Sequence, residues 1–94
     1  MPRFSLSTRF ERKLVKDAKK DSKISGDIID ALNKFVMSPV PASLHFKPVP
    51  GTTDRYYIRI TNRRGWRIVF RKIDGGLYEA IEFGDHDIRR QGNL

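Results

Sequence analysis

Arginines are interleaved with apolar residues on both sides of a glycine in the middle of this chain. Arg59 precedes Gly65, and Arg67 and Arg71 follow it. Because successive side chains of a strand point to opposite sides, this spacing predicts two strands with one apolar face and one cationic face. Guanidinium groups bind phosphate oxygens in pairs, and an aromatic ring such as Tyr57 can stack on a base. The residues therefore predict a surface that grips a nucleic-acid backbone, unless the face is merely solvated.

Two other residues are candidates for proton transfer beside this cationic face. His86 follows the last predicted strand and is expected at the rim of the face, where an imidazole can act as a general acid or base. The alternative is an exposed histidine between two aspartates. Glu82 is predicted to lie diagonal to Arg67 and Arg71, where it is either a base or, held ionised by the arginines, an ion-pair partner.

The charge of the chain limits its possible partners. A net charge of +8 on 94 residues indicates a polyanionic partner, either nucleic acid, an acidic protein or an anionic membrane surface, unless the charge serves solubility alone. We expect the nucleic-acid surface to be extended by Lys47, Arg89 and Arg90. The predicted nucleic-acid contacts are thus Tyr57, Lys47, Arg71, Arg89 and Arg90.

Several other classes of protein are excluded by what the sequence lacks. There is no cysteine, hence no disulfide or thiolate chemistry, and no metal-ligand cluster, phosphate-binding glycine loop or serine triad is recognisable. We expect no metal and no cofactor. No signal peptide or membrane span is evident, so a cytoplasmic protein with no membrane partner is expected.

The flanking elements must position these side chains. A short strand is predicted at 3–6, and a capping box formed by Thr8 and Glu11 predicts the start of a first helix. Asp21 and Ser22 can cap a second helix. This helix is expected to end at the segment 38–42, because the two prolines in that segment cannot continue it. Its apolar stripe is Ile24, Ile28, Leu32, Phe35 and Val36. Another short strand is predicted at 44–47, with Leu44 and Phe46 inward and His45 and Lys47 outward.

Strand register follows from the turns. If paired residue numbers sum to 128, Ile60 faces Ile68, Ile58 faces Phe70, and the loop is 63–65. A two-residue loop at 75–76 sets a sum of 151 for the next pair of strands. That register predicts the pairs Phe70 with Ile81, Ile68 with Phe83, and Val69 with Glu82. We therefore predict an α+β fold, with two N-terminal helices packed on the apolar face of a twisted antiparallel sheet, and a single domain spanning 1–94.

The order of elements and the motifs at 55–87 resemble the RelE/ParE superfamily of toxin–antitoxin toxins. The motifs are Tyr-x-Ile-Arg-Ile, Gly-Trp-Arg-Ile-Val-Phe, Asp-Gly and Gly-Asp-His-Asp. Many members are ribosome-dependent mRNA endoribonucleases that need no metal, whereas the ParE branch inhibits DNA gyrase and cuts no RNA. The resemblance implies a RelE-like fold, a toxin that inhibits translation, and an acidic antitoxin as partner together with mRNA and the ribosome.

The resemblance also assigns roles to individual residues. Arg67 matches the arginine that stabilises the phosphate in the nuclease branch, Arg59 matches a basic strand residue of that site, and His86 matches a position that holds His or Arg. Many nucleases of the family carry a tyrosine shortly after this position, and 87–92 contains none. Three readings remain open: Tyr57 substitutes for that tyrosine, the protein is a weak nuclease, or it is a ParE-like gyrase inhibitor. A plain RNA-binding module is the alternative outside the toxins.

Overall fold

Two helices cover one face of a five-stranded sheet in the computed structural model, which describes residues 3–37 and 39–85. The elements are β1 (Arg3–Leu6), α1 (Thr8–Lys20), α2 (Ser22–Phe35), a 3₁₀ turn (Ala42–Leu44), β2 (Lys47–Pro48), β3 (Arg55–Arg59), β4 (Trp66–Lys72) and β5 (Leu77–Asp85). The order across the sheet is β1-β5-β4-β3-β2. The predicted α+β fold is confirmed, with one addition. Strand β1 runs parallel to β5, because the two helices carry the chain across the sheet, so the sheet is mixed.

Both helices begin at side-chain caps. The hydroxyl of Ser7 accepts a hydrogen bond from the backbone N–H of Phe10 at 3.1 Å, so the cap lies one residue before the predicted Thr8. Ser7 has the extended backbone that an N-cap requires, whereas Thr8 is already helical. Asp21 caps α2 as predicted, accepting from the N–H of Lys23 at 3.0 Å. None of the helices among the described residues is long and apolar enough to cross a membrane.

The core lies between the helices and the apolar face of the hairpin, as predicted. Phe35 of α2 stacks on Phe70 of β4 with ring centroids 4.6 Å apart, and Phe10 of α1 meets Phe83 of β5 edge to face at 5.1 Å. All four side chains are fully buried. Aromatic pairs of this kind add roughly 0.5–1.5 kcal/mol each beyond their burial. The core thus lies on the face of the sheet opposite the cationic residues.

The predicted register of β3 and β4 is wrong by two residues. Ile58 pairs with Ile68 and Arg59 with Arg67, so paired numbers sum to 126 and the loop spans 61–65. A shift of two leaves every side chain on its predicted face, because the strand period is two. The longer loop is stabilised by Arg63, whose guanidinium reaches Asp27 of α2 at 3.1 Å. Contacts between the loop and the helix cannot be read from the alternation of the strands.

The register of β4 and β5 is correct near the cationic residues and wrong beyond them. Ile68 pairs with Phe83 and Val69 with Glu82 as predicted, but a bulge follows and Phe70 pairs with Ala80 instead of Ile81. The turn causes this difference. It holds three residues, 74–76, closed by the N–H of Ile73 donating to the carbonyl of Leu77 at 2.8 Å. One extra loop residue is offset by one extra strand residue.

The segment 44–47 is not a strand. Leu44 ends the 3₁₀ turn and His45 adopts a left-handed backbone at φ 49°, so β2 begins only at Lys47. The predicted side-chain directions nevertheless hold: Leu44 is buried, Phe46 packs against the core, and His45 and Lys47 are exposed.

Candidate nucleic-acid interface

The cationic face contains two pairs of arginines directly opposite each other. Arg59 of β3 pairs with Arg67 of β4, and Arg55 pairs with Arg71. Arg55 was not predicted as a site residue, although the alternation of the strand places it on the same face as Tyr57 and Arg59 in either register. Like charges opposite each other across two strands are destabilising. The arrangement therefore has a cost for the isolated fold that an anionic ligand would relieve.

Tyr57 lies between the two arginine pairs, opposite Val69 on β4 and Lys47 on β2. Its ring centroid is 5.7 Å from the guanidinium carbon of Arg67. Cation–π contact of this kind orients a guanidinium. On β5 the partner of Arg67 is Gly84. The structure brings together the predicted residues Arg59, Arg67, Tyr57, Lys47 and Arg71.

The arginines differ in how their charge is balanced. Arg71 forms an ion pair with Glu79 at 3.2 Å, so part of its charge is already neutralised. Over residues 3–37 and 39–85, no ion pair involves Arg59 or Arg55. The uncompensated charge therefore concentrates on β3.

Glu82 forms ion pairs with helix α1. One carboxylate oxygen lies 2.9 Å from the guanidinium of Arg9, and the other lies 2.9 Å from the ammonium of Lys13 and also accepts from the N–H of Phe83. Lys13 donates in addition to the carbonyl of Phe83 at 2.6 Å. An ion-pair role was the alternative to a base, but its helical partners were not foreseen. Glu82 thus joins α1 to β5.

A cleft of about 540 Å³ adjoins the cationic face at Arg59. The polar residues of its wall are Ser43, His45, Arg59, Thr61 and Arg64. His45 was predicted to point outward, but its place in the same cleft as Arg64 could not be predicted, because it depends on the conformation of the 61–65 loop. That loop is held against α2, where Lys34 donates to the hydroxyl of Thr61 at 3.1 Å and forms an ion pair with Asp30 at 3.0 Å.

Three of the predicted site residues, His86, Arg89 and Arg90, lie outside the described residues. Asp85, the last residue of β5, pairs with Trp66 at the loop end of β4. Within the described ranges, no group of three or more His, Asp or Glu side chains is placed to hold a metal ion.

Two helices packed on one face of a five-stranded mixed sheet give this chain the α+β fold expected from its sequence. The crystal structure of YafQ from E. coli strain BL21(DE3) shares this fold. It is similar over 90% of this chain and 93% of the other, at 19% sequence identity and a TM-score of 0.63. Comparison with protein-family models finds no match, and comparison with curated proteins finds none. The expected fold is thus confirmed by an independent structure.

Proposed function

We propose that this chain, as a single domain over 1–94, is the toxin of a toxin–antitoxin system and acts as an mRNA endoribonuclease that inhibits translation. The observation that carries the proposal is the directly opposed pair Arg59 and Arg67 on the cationic face of the sheet, with Tyr57 beside it. Two cations on one rigid hairpin fit a single phosphodiester, and the ring fits a neighbouring base. The fold shared with YafQ and the resemblance in sequence support the same conclusion.

The proposed reaction is attack by a ribose 2′-hydroxyl on the adjacent phosphate. The new bond forms between the 2′-oxygen and phosphorus, the bond from phosphorus to the 5′-oxygen breaks, and a 2′,3′-cyclic phosphate and a 5′-hydroxyl result. Negative charge increases on the phosphate oxygens during this step, and Arg59 and Arg67 stabilise it. A base must take the 2′-proton and an acid must protonate the leaving oxygen. We assign His86 to proton transfer, with Tyr57 as the other candidate.

Glu82 is the weakest candidate for the base. Two cations of α1 lie 2.9 Å from its carboxylate, one at each oxygen, so both oxygens are already occupied. We infer that its role is structural, in joining α1 to β5.

The proposed partners follow from charge and from the resemblance. The substrate is mRNA on the ribosome, and the inhibitor is an acidic antitoxin that is partly disordered when free. The net charge of +8 supports polyanionic partners of both kinds. Binding of the antitoxin is therefore expected to weaken as salt concentration rises.

The decisive experiment maps cleavage of mRNA in a reconstituted translation reaction with the purified protein. New 5′-hydroxyl ends within coding regions are expected. Replacing Arg67 by Ala should lower the cleavage rate by about 10²–10³, the usual loss when one stabilising donor is removed. Lys72→Ala removes a charge from the far end of β4 and should cleave as the wild type does. If the protein arrests growth when expressed in cells but produces no new RNA ends, the nuclease is refuted. Inhibition of DNA supercoiling by gyrase would then identify the ParE-like alternative.

A further inference from the structure

The cleft beside Arg59 lies next to the proposed cleavage site but is not needed for the reaction itself. Arg59 belongs to both, since it pairs with Arg67 across the hairpin and also lines the cleft with His45 and Arg64. We propose that this cleft binds a second backbone phosphate of the same RNA strand, next to the phosphate held by Arg59 and Arg67. The inference rests on the proposed function, because that function places RNA on this face.

The charge of the cleft favours an anionic ligand. Arg63 and Arg64 are neighbours in the chain, yet Arg63 contacts the carboxylates of Asp21 and Asp27 at 3.4 and 3.1 Å. In the part of the chain that the structure describes, Arg64 makes no such ion pair, and neither does Arg59. The cleft therefore contains two guanidinium groups that no carboxylate of residues 3–37 and 39–85 balances, which favours an anionic ligand.

The donors on the opposite wall are the second argument. Ser43 and His45 belong to the segment before β2, whereas Thr61 and Arg64 belong to the loop after β3. Hydroxyl, imidazole and guanidinium groups on the two walls can all donate to phosphate oxygens. Donors that converge from two segments define a site for a compact anion better than a flat basic patch does.

The fixed position of both walls is the third argument. The N–H of His45 donates to the carbonyl of Ala42 at 3.0 Å, which closes the 3₁₀ turn and sets the left-handed backbone of His45. The loop wall is held on α2 through Lys34, which donates to the hydroxyl of Thr61 at 3.1 Å. A site whose frame is already ordered loses little conformational entropy on binding.

The proposal is tested with trinucleotides whose riboses are all 2′-O-methylated, so that no 2′-hydroxyl can attack. One has two charged phosphates, and in two analogues either phosphate is replaced by a neutral methylphosphonate. The wild type should bind the doubly charged trinucleotide about tenfold more tightly than either analogue, as expected of one charge-assisted contact. The dependence of log K on log salt should be steeper by about 0.7 for the doubly charged ligand.

Arg64→Gln is the critical variant. Its affinity for the doubly charged ligand should fall to that for the analogue whose cleft phosphate is neutral, and its affinity for that analogue should equal that of the wild type. Lys72→Gln, at the other end of β4, should retain the tenfold difference. Circular dichroism confirms that each variant is folded. If Arg64→Gln retains the tenfold difference, or loses affinity equally for all three ligands, the second phosphate site is refuted.

The proposed function has a separate readout. If the wild type cleaves unmodified mRNA and Arg64→Gln still prefers the doubly charged trinucleotide tenfold, the second phosphate site is refuted but the nuclease is not. Absence of cleavage by the wild type refutes the nuclease, whichever way the trinucleotides bind.

Discussion

Arg63 is expected to contribute to the stability of the fold, although in the sequence it is one of two adjacent loop arginines that would be expected to be exposed. Its guanidinium lies 3.1 Å from Asp27, with the two side chains only 20% and 22% exposed. This charge-assisted contact should contribute about 1.5 kcal/mol, the low end of the usual range because some solvent reaches it. The contact to Asp21, which is 43% exposed, adds about 0.5 kcal/mol, and the ring of Trp66 at 4.6 Å adds about 0.5–1 kcal/mol. Arg63→Ala should therefore lose about 2.5–3 kcal/mol.

The assay is equilibrium unfolding in urea, followed by circular dichroism. Arg63→Ala should lower the midpoint with an unchanged slope, and should lower the melting temperature by roughly 10–20 °C, given 4–8 °C per kcal/mol in a domain of this size. Arg63→Lys keeps the charge but loses the planar fork, so its stability should fall in between. Arg64→Ala is the matched control and should stay within about 0.5 kcal/mol of the wild type. Equal effects of the two alanine variants would show that the loop is not held through Arg63.

Three further predictions concern the sheet and its turns. Glu82→Gln should lower the free energy of unfolding by about 1–2 kcal/mol, because two cations of α1 lose their partner, while mRNA cleavage persists; loss of cleavage in a stable variant would restore Glu82 as the base. Phe35→Ala should lose about 3–5 kcal/mol in the same urea assay, since the ring is fully buried against Phe70, and a smaller loss would mean that the core collapses around the gap. The N–H groups of Gly76 and Leu77 hold the pKa of Asp74 below its usual value. Its contribution to stability is therefore present at neutral pH and is lost as pH falls below about 4. Asp74→Asn should lose less stability than the wild type over that acid range, and identical pH profiles would contradict this.

The faces of the sheet could be predicted because they depend only on alternation. The positions of Tyr57, Arg59, Arg67 and Arg71 on one face remain correct even though the register is wrong by two residues. The period of two makes a face insensitive to such a shift. The existence of both helices was equally accessible, since their apolar residues recur at helical spacing.

The rest depended on contacts between elements distant in sequence. The length of the 61–65 loop depends on Arg63 meeting carboxylates of α2, and the partners of Glu82 are on α1. The cleft depends on the left-handed backbone at His45, for which no glycine or asparagine gives a sequence signal. These contacts between distant elements cannot be predicted from composition or from periodicity. Arg64 was missed as a site residue because its neighbours in the cleft, Ser43 and His45, come from a different segment.

The parallel pairing of β1 with β5 also has a consequence for the folding of the protein. Arg3 pairs with Leu77 and Leu6 with Ala80, and β1 lies at the edge of the sheet, so it gains a hydrogen-bonded neighbour only when β5 is in place. Closing so long a segment is slow compared with forming helices, and the helices alone have no sheet to cover. The anchor of α1, Glu82, is likewise on β5. A chain truncated before β5 should therefore fail to fold, because β1 and α1 both lack their partners on that strand.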